Sequence, residues 1–289
     1  MTVAEYRKDP AINQSNLKKL WNNSPEKAKH EIETFVPTYD MELGTIYHLM
    51  VLDGSPIEKV AMLTPDCDRR SNANKLQWAA AEEAAEEAGL SLVKPQDAER
   101  LDAMKERLQI EPFDERRTIG DFLDNPNLQI ERPFFSELHG KECKGLIDIY
   151  DPETNTVYDL KTCRDASPYG FAKDAEKLSY DIQAAFYFDL VTKVNGTPPD
   201  RFVFIAQEKE FPYSVGQYAV SEEGLSNGRI LYEFLLGRWA EWEAKGWRGG
   251  YTDGAEELQT SAWRANQVSG IAGDDGEIKL SDDEEGGEG

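Results

Sequence analysis

Two short apolar segments on either side of a turn constrain the fold of this chain more than any other feature. Residues 141 to 150 and 156 to 162 have the composition of β-strands, and residues 151 to 155 contain the proline and asparagine typical of a turn. Each strand also carries charge among its apolar residues: Asp148 in the first, and Asp159 and Lys161 in the second. Because burying charge is costly, this hairpin predicts a functional site.

Side-chain alternation decides which of these residues can act together. Along a strand, Asp159 and Lys161 share one face, whereas Leu160 points to the other. If Asp148 pairs opposite Asp159, both carboxylates face the same side, and strands about 5 Å apart allow them to bind one ion. Two carboxylates and a backbone carbonyl suit Mg²⁺ or Mn²⁺, and Lys161 would orient water or stabilise a phosphate. The alternative is a surface hairpin with a local ion pair.

The remaining pattern predicts an α/β fold with a central mixed sheet flanked by helices and preceded by a helical N-terminal region. Residues 1 to 125 are mostly helical, with helices at 41 to 52, 73 to 89 and 96 to 108. Residues 126 to 220 form the sheet core, with strands near 128 to 137, 141 to 150, 156 to 162, 201 to 206 and 212 to 220, and helices at 167 to 177 and 179 to 193. A helix at 221 to 246 and an extension complete a single domain that ends at residue 267.

The acidic balance of the chain weighs against nucleic acid as a partner, since DNA-binding proteins neutralise phosphates with Lys and Arg. The formal net charge is -23. Residues 274 to 289 hold eight acids and one lysine, a net charge of -7 that leaves -16 elsewhere. Residues 268 to 289 are rich in Gly, Asp and Glu, which predicts a disordered acidic tail. A nuclease can still be acidic overall, because basic groups need only line the path of the DNA.

Other classes of protein are disfavoured by what the chain lacks. No segment approaches the ~20 apolar residues of a membrane helix, and the first residues lack the apolar core of a secretory signal, so we expect a cytoplasmic protein without membrane contact. The three cysteines, Cys67, Cys143 and Cys163, are widely spaced. They argue against a disulfide framework and are too few for a four-cysteine zinc or iron-sulfur site.

A wider set of motifs accompanies the hairpin. Its members are Ser15, Leu17, Gly44, His48, Arg69, Arg70, Gly145, Asp148, the run Asp159-Leu160-Lys161-Thr162, Gln183, Tyr187, Trp247, Tyr251 and Trp263. This set resembles the RecB-type branch of the PD-(D/E)XK nuclease superfamily and, more closely, the RecE-like exonuclease VIII proteins of phages and prophages. Two positions depart from the superfamily pattern: Ile147 replaces the proline before the first acid, and the second acid is aspartate. Both variations fit RecB-like members.

The resemblance implies a metal site and the residues that form it. By this reasoning His48, Asp148 and Asp159 ligate the metal, together with the backbone carbonyl of Leu160. Asp159 and Lys161 form the D/E-x-K motif. A single histidine on an apolar helix is more often a hydrogen-bonded core residue, which is the alternative for His48. An acid on the first strand is a further candidate ligand, either Glu131 or its competitor Glu137.

The resemblance also implies substrate contacts. Gln183 and Tyr187 stand one helical turn apart and would contact the DNA backbone. Without the resemblance, Tyr187 would be assigned to the core. Arg69 and Arg70, with Lys75 nearby, form a basic cluster that would hold a terminal phosphate, and a solvated loop is the alternative.

The function implied by the resemblance is a Mg²⁺- or Mn²⁺-dependent exodeoxyribonuclease. It would degrade one strand of linear double-stranded DNA, from 5′ to 3′, and leave single-stranded tails for recombination. Its expected partners are duplex DNA ends, a single-strand annealing protein, and copies of itself in a ring-shaped homo-oligomer. One alternative is a Cas4-like nuclease, although those usually carry a four-cysteine iron-sulfur site. Another is a catalytically inactive DNA-binding or assembly module with the same fold, whose acidic tail mimics DNA or docks a basic partner.

Overall fold

We describe residues 3–271 of the chain in a computed structural model. The helices are α1 (Val3–Lys8), α2 (Gln14–Asn22), α3 (Pro25–Glu33), α4 (Tyr39–Leu52), α5 (Ile57–Val60), α6 (Asn72–Ala88), α7 (Pro95–Gln109), α8 (Ile119–Leu123), α9 (Pro168–Lys177), α10 (Tyr180–Asn195), α11 (Glu222–Ala244) and α12 (Ala262–Ile271). The strands are β1 (Ala61–Leu63), β2 (Ser91–Val93), β3 (Gln129–Leu138), β4 (Lys141–Asp151), β5 (Thr156–Cys163), β6 (Arg201–Glu208) and β7 (Val215–Ala219). The predicted α/β class is confirmed.

Contacts divide the chain into two units, Met1–Arg248 and Gly249–Gly289. The first unit contains every strand named above, and the described part of the second ends with α12. The predicted acidic tail, residues 268 to 289, lies outside the described residues from position 272 onward, and the predicted boundary at 267 stays a prediction. Within residues 3–271, no helix combines the length and apolar composition that crossing a membrane requires.

The central sheet has five strands in the order β3-β4-β5-β6-β7. The first three form an antiparallel meander, as the turn signals predict. β6 runs parallel to β5, because α9 and α10 carry the chain across between them, and β7 returns antiparallel. The central mixed sheet is therefore confirmed. A separate parallel pair, β1 with β2, was not predicted, since three-residue strands show no usable periodicity.

Hydrophobic cores cover both faces of this sheet. On one face, α2, α9, α10 and α11 contribute apolar side chains that pack with Phe134, Val157, Phe202 and Phe204. On the other face, α4, α7 and α8 pack against Tyr158, Leu160, Val203 and Ile205. Successive residues of β5 thus enter different cores, as strand alternation requires. Because both faces are covered, a charged side chain in the middle of β5 is shielded from water.

The ladder between β3 and β4 is interrupted at one point. Its register pairs Ile130 with Ile149 and Arg132 with Ile147, but the intervening residues, Glu131 and Asp148, are not paired. Glu131 has a φ of 44°, a left-handed conformation uncommon for residues other than glycine. Ile147 and Ile149 pack into different cores, although a regular strand would place them on the same face. The strand is therefore locally distorted at Asp148.

Candidate active site

Asp148 lies where the pairing of β4 with β5 stops. The last paired residues are Ile149 and Tyr158, so Asp148 and Asp159 come next in the register, as predicted. The Leu160 N–H instead donates a hydrogen bond to Asp148 Oδ2 at 2.9 Å. The carboxylate thereby takes the place of a backbone acceptor and is fixed between the two strands.

The charge of Asp148 is affected by its neighbours. Burial raises the pKa of Asp148 to about 6, and the negative charge of Asp159 adds to this rise. Electrostatic interactions with His48 and Lys161, and the Leu160 hydrogen bond, oppose it. The two carboxylates are therefore close enough to repel each other, a repulsion that a bound cation would relieve.

Asp159 is only 2% exposed and is contacted by two side chains. Gln183 Nε2 donates a hydrogen bond of 2.6 Å to Asp159 Oδ1. Lys161 Nζ lies 2.5 Å from Asp159 Oδ2 and forms an ion pair with it. Within the described residues, this second oxygen is buried and accepts no well-directed hydrogen bond. One oxygen is thus fixed by an amide, and the other by its ion pair with Lys161.

Lys161 is held as a cation. Burial alone would lower the pKa of Lys161, but the charges of Asp159 and Asp148 outweigh burial and raise it. Its ammonium group also lies 5.1 Å from the centre of the Tyr180 ring. The D-x-K pair of the sequence is therefore a buried ion pair, and the surface hairpin considered above does not describe it.

Gln183 connects the carboxylates to a residue that the sequence analysis missed. Lys18 Nζ, on α2, donates to Gln183 Oε1 at 3.1 Å. Because the amide oxygen accepts from Lys18, the amide nitrogen is directed at Asp159. Nothing in the sequence separates Lys18 from Lys19 beside it on the same helix. Its position at the site follows only from how α2 packs against α10.

His48 and Glu131 complete the surroundings of Asp148. His48 Nδ1, on α4, lies 3.6 Å from Asp148 Oδ2. Burial raises the pKa of Glu131, with Asp53 adding to the rise and His48 opposing it, so Glu131 is within electrostatic range of His48. The competing acid, Glu137, is exposed on β3. Of the predicted ligands, His48 is the one that influences the pKa of Glu131.

The ring of Tyr187 packs directly against Gly145. A Cβ atom on Gly145 would lie 2.9 Å from Tyr187 Cε1 and equally close to Leu190 Cδ1, closer than such atoms approach. The glycine of the motif therefore makes room for α10 to pack on β4. Tyr187 is 7% exposed and belongs to the core. Its predicted contact with DNA stays a prediction.

The basic cluster before α6 has partners of its own. Arg69 forms a 2.8 Å ion pair with Glu82 and lies 3.9 Å from the centre of the Trp78 ring. Arg70 is highly exposed, with its Nε 3.6 Å from Asp68 Oδ2. These contacts are local to the loop and to α6, and the structure does not join either arginine to the carboxylates described above. Phosphate binding by this cluster stays a prediction.

Whether a divalent cation fits this site depends on the chemistry of the side chains that could bind it. Between residues 3 and 271, no three His, Cys, Asp or Glu side chains are arranged as a ready-made metal site. The donors nevertheless suit a hard cation, since the two carboxylates of Asp148 and Asp159 repel each other and Asp159 Oδ2 lacks a directed hydrogen bond. His48 adds a nitrogen donor beside Asp148. The full ligand set, including the Leu160 carbonyl and Glu131, stays a prediction.

One solved structure has a similar fold. A crystal structure from Eubacterium rectale, described as a "putative exonuclease", has 14% identity and a TM-score of 0.56, and the match covers 90% of this chain and 94% of that one. A crystal structure of SSO0001 has 12% identity and a TM-score of 0.34, with 87% and 90% of the two chains covered, and no argument rests on it. A search of curated proteins found no match.

Comparison with protein-family models assigns the chain to a family. The model describes a PDDEXK-like domain of unknown function (DUF3799) and matches residues 15–255. That stretch contains the hairpin carboxylates, Lys161 and Gln183, together with the whole five-stranded sheet. Because the match extends over most of the 289 residues, the chain belongs to this PDDEXK-like family and, through it, to the PD-(D/E)XK nuclease superfamily.

Proposed function

We propose that this protein is a metal-dependent exodeoxyribonuclease that degrades one strand of linear double-stranded DNA, from 5′ to 3′, and leaves single-stranded tails for recombination. The observation that carries the proposal is the largely buried group formed by Asp148, Asp159, Lys161 and Gln183, which direct contacts join across β4, β5 and α10. Two largely buried carboxylates that repel each other oppose folding, so a functional reason for them is favoured over a structural one. The description of the Eubacterium rectale structure is consistent with this activity.

The proposed reaction is hydrolysis of a phosphodiester. Water attacks phosphorus, the bond from phosphorus to the 3′-oxygen breaks, and the products are a 5′-phosphate and a 3′-hydroxyl that takes up a proton. The chemistry that Mg²⁺ or Mn²⁺ supplies in such a site is neutralisation of phosphate charge and acidification of water. Asp148 and Asp159 would hold the cation, with His48 beside them. Lys161 would place a permanent positive charge at the reacting phosphate.

The charge distribution is compatible with a DNA substrate despite the net charge of -23. Lys161 places an ammonium group next to the carboxylates, and Lys18 lies beside it through Gln183, in a site largely shielded from water. Electrostatic interactions are stronger in such surroundings than at the exposed acidic surface. The charges close to the reacting phosphate, including that of a bound cation, govern its binding more than the total charge of the chain does.

The proposal extends to the partners. It includes duplex DNA ends as substrate, a single-strand annealing protein that receives the product, and a ring-shaped homo-oligomer. These partners come from the resemblance to RecE-like exonucleases, as do the end dependence and the polarity. The inactive binding module is disfavoured, because the hairpin carboxylates and Lys161 are present and in contact.

The test is cleavage of linear duplex DNA labelled at one 5′ end or at one 3′ end, with Mg²⁺ or with EDTA. Wild type is compared with Asp159→Ala and Lys161→Ala, and covalently closed circular DNA is the control. We expect metal-dependent loss of linear DNA only, with early release of the 5′ label and no activity in either variant. A folded protein that cleaves no DNA with Mg²⁺ or Mn²⁺ would refute the proposal.

A further inference from the structure

Two lysines from distant parts of the chain meet at one aromatic ring. Lys18 Nζ lies 5.0 Å from the centre of the Tyr180 ring, and Lys161 Nζ lies 5.1 Å from the same centre. We call Lys18 and Lys161 the lysine pair. One comes from α2 and the other from β5, so only the tertiary fold brings them together.

Within the described residues, Lys18 has no ion-pair partner within 4 Å, unlike Lys161. Lys161 has Asp159 as its ion-pair partner, but the one hydrogen bond described for Lys18 goes to a neutral amide, Gln183 Oε1. An ammonium group has three N–H donors, so Lys18 retains capacity to bind an acceptor. Burial lowers the pKa of Lys18 to about 7, and repulsion by Lys161 adds to this effect, whereas Asp159 and Asp181 partly oppose it. An anion between two such groups would offset both costs.

Lys19, next to Lys18 on α2, has contacts that indicate a structural role. Lys19 Nζ donates to the backbone oxygen of Glu31 at 2.8 Å and lies 4.3 Å from the centre of the Phe35 ring. It therefore ties α2 to α3 and the residues that follow it. Lys18, one position earlier, faces the carboxylates through Gln183. The contrast indicates that Lys18 is oriented towards the site.

We propose that Lys18 is a substrate-binding residue, which acts with Lys161 to bind a phosphodiester group of the DNA backbone beside Asp159. This inference rests on the proposed function and adds a DNA contact to it. The ligand is a phosphodiester because the lysine pair offers two point charges and N–H donors next to the group that would cleave such a bond. A neutral or cationic ligand would leave the repulsion between the two lysines uncompensated.

A second role for Lys18 has to be separated from this one. Through its hydrogen bond to Gln183, Lys18 also orients the amide that contacts Asp159. Loss of that orientation alone would slow cleavage without changing the number of phosphates contacted. Loss of a phosphate contact would instead weaken binding and reduce the dependence of binding on salt. The salt dependence therefore distinguishes the two roles.

The experiment uses the full chain and a fluorescein-labelled linear DNA duplex. Binding is measured by fluorescence anisotropy in EDTA over a range of NaCl concentrations, for wild type, Lys18→Met, Lys18→Arg and Lys19→Met. Methionine retains most of the aliphatic stem but removes the charge, and thermal unfolding verifies that each variant is folded. The same proteins are assayed for cleavage of linear DNA with Mg²⁺.

We expect Lys18→Met to bind about tenfold more weakly than wild type, with a salt slope smaller by about 0.9, the value for one phosphate contact. Lys18→Arg should restore most of the slope, and Lys19→Met should match wild type. Equal affinity and equal slope for Lys18→Met and wild type would overturn the inference, even if its cleavage is slow. If wild type itself neither binds nor cleaves DNA, the proposed function fails first and the inference fails with it.

Discussion

Two buried glutamines show how differently one side chain can be used in this protein. Gln207, on β6, is fully buried; its amide nitrogen donates to the backbone oxygens of Met104 at 2.9 Å and Tyr213 at 3.3 Å, and its oxygen accepts from the Tyr47 hydroxyl. All of these partners are neutral. Gln183, on α10, is 4% exposed and joins a lysine to an aspartate.

The hydrogen-bond networks of Gln207 and Gln183 differ in their charge and in whether every buried polar atom has a hydrogen-bond partner. The Gln207 network links β6 to α4 and α7 with neutral hydrogen bonds, and such a network favours the folded state. The Gln183 network contains charges, and it ends at Asp159 Oδ2, which accepts no directed hydrogen bond from the described residues. A neutral, satisfied network indicates a structural role, and a charged, incomplete one indicates a site for a ligand.

The largest expected effect is on DNA cleavage, and it distinguishes two buried aspartates of the same hairpin, Asp159 and Asp151. Asp159→Asn should reduce cleavage of linear DNA by on the order of a thousandfold, because it removes a carboxylate charge needed to hold the cation. Asp151 is its matched control: it is buried too, but its carboxylate accepts from Glu153 N and Thr154 Oγ1 within the turn. Asp151→Asn should retain activity. Equal loss of activity in both variants would contradict the distinction.

The next effect is on stability. Gln207→Leu should lower the free energy of unfolding by about 2–3 kcal/mol, because the Tyr47 hydroxyl and the Met104 carbonyl lose their partner in the core. Urea unfolding measures the change, and activity per folded molecule should match wild type. A variant as stable as wild type would show that the Gln207 network contributes nothing to folding.

Gln183→Leu should instead lower activity. Cleavage should fall by about ten- to a hundredfold, since Asp159 and Lys18 lose the amide that orients them. Steady-state kinetics and urea unfolding are compared with those of Gln207→Leu. If Gln183→Leu is instead the less stable variant and the more active one, the comparison of the two networks is reversed.

The smallest effect concerns pH. The pKa of Asp148 in the folded chain is about 6, above its ordinary value of 3.8, so the folded state binds more protons than the unfolded state between these values. The contribution of Asp148 to stability is therefore present below pH 4 and is lost as pH rises towards 6. In EDTA, the difference in unfolding free energy between wild type and Asp148→Asn should shift against wild type over this range. A pH-independent difference would contradict the assignment.

The sequence predicted the parts of this structure that depend on local patterns. The hairpin and its register follow from alternation and a turn, and the contact of Asp159 with Lys161 follows from their spacing on β5. Lys18 was not predictable, because its role depends on packing between α2 and α10, which no local signal encodes. The left-handed backbone of Glu131 was not predictable either, since glutamate has no preference for it. Gly145 was noted only as a motif member, and its reason became visible with the ring of Tyr187 above it.

The site gathers Lys18, His48, the hairpin and Gln183, a span that reaches from α2 to α10. During synthesis at the ribosome, this arrangement is incomplete until α10 has emerged, so shorter nascent chains lack the amide between Lys18 and Asp159. Contacts so far apart in sequence also form late and slowly when the chain folds. The degradative capacity proposed for this protein would therefore arise only after α10 has folded onto the sheet, and a chain cut before α10 would lack it.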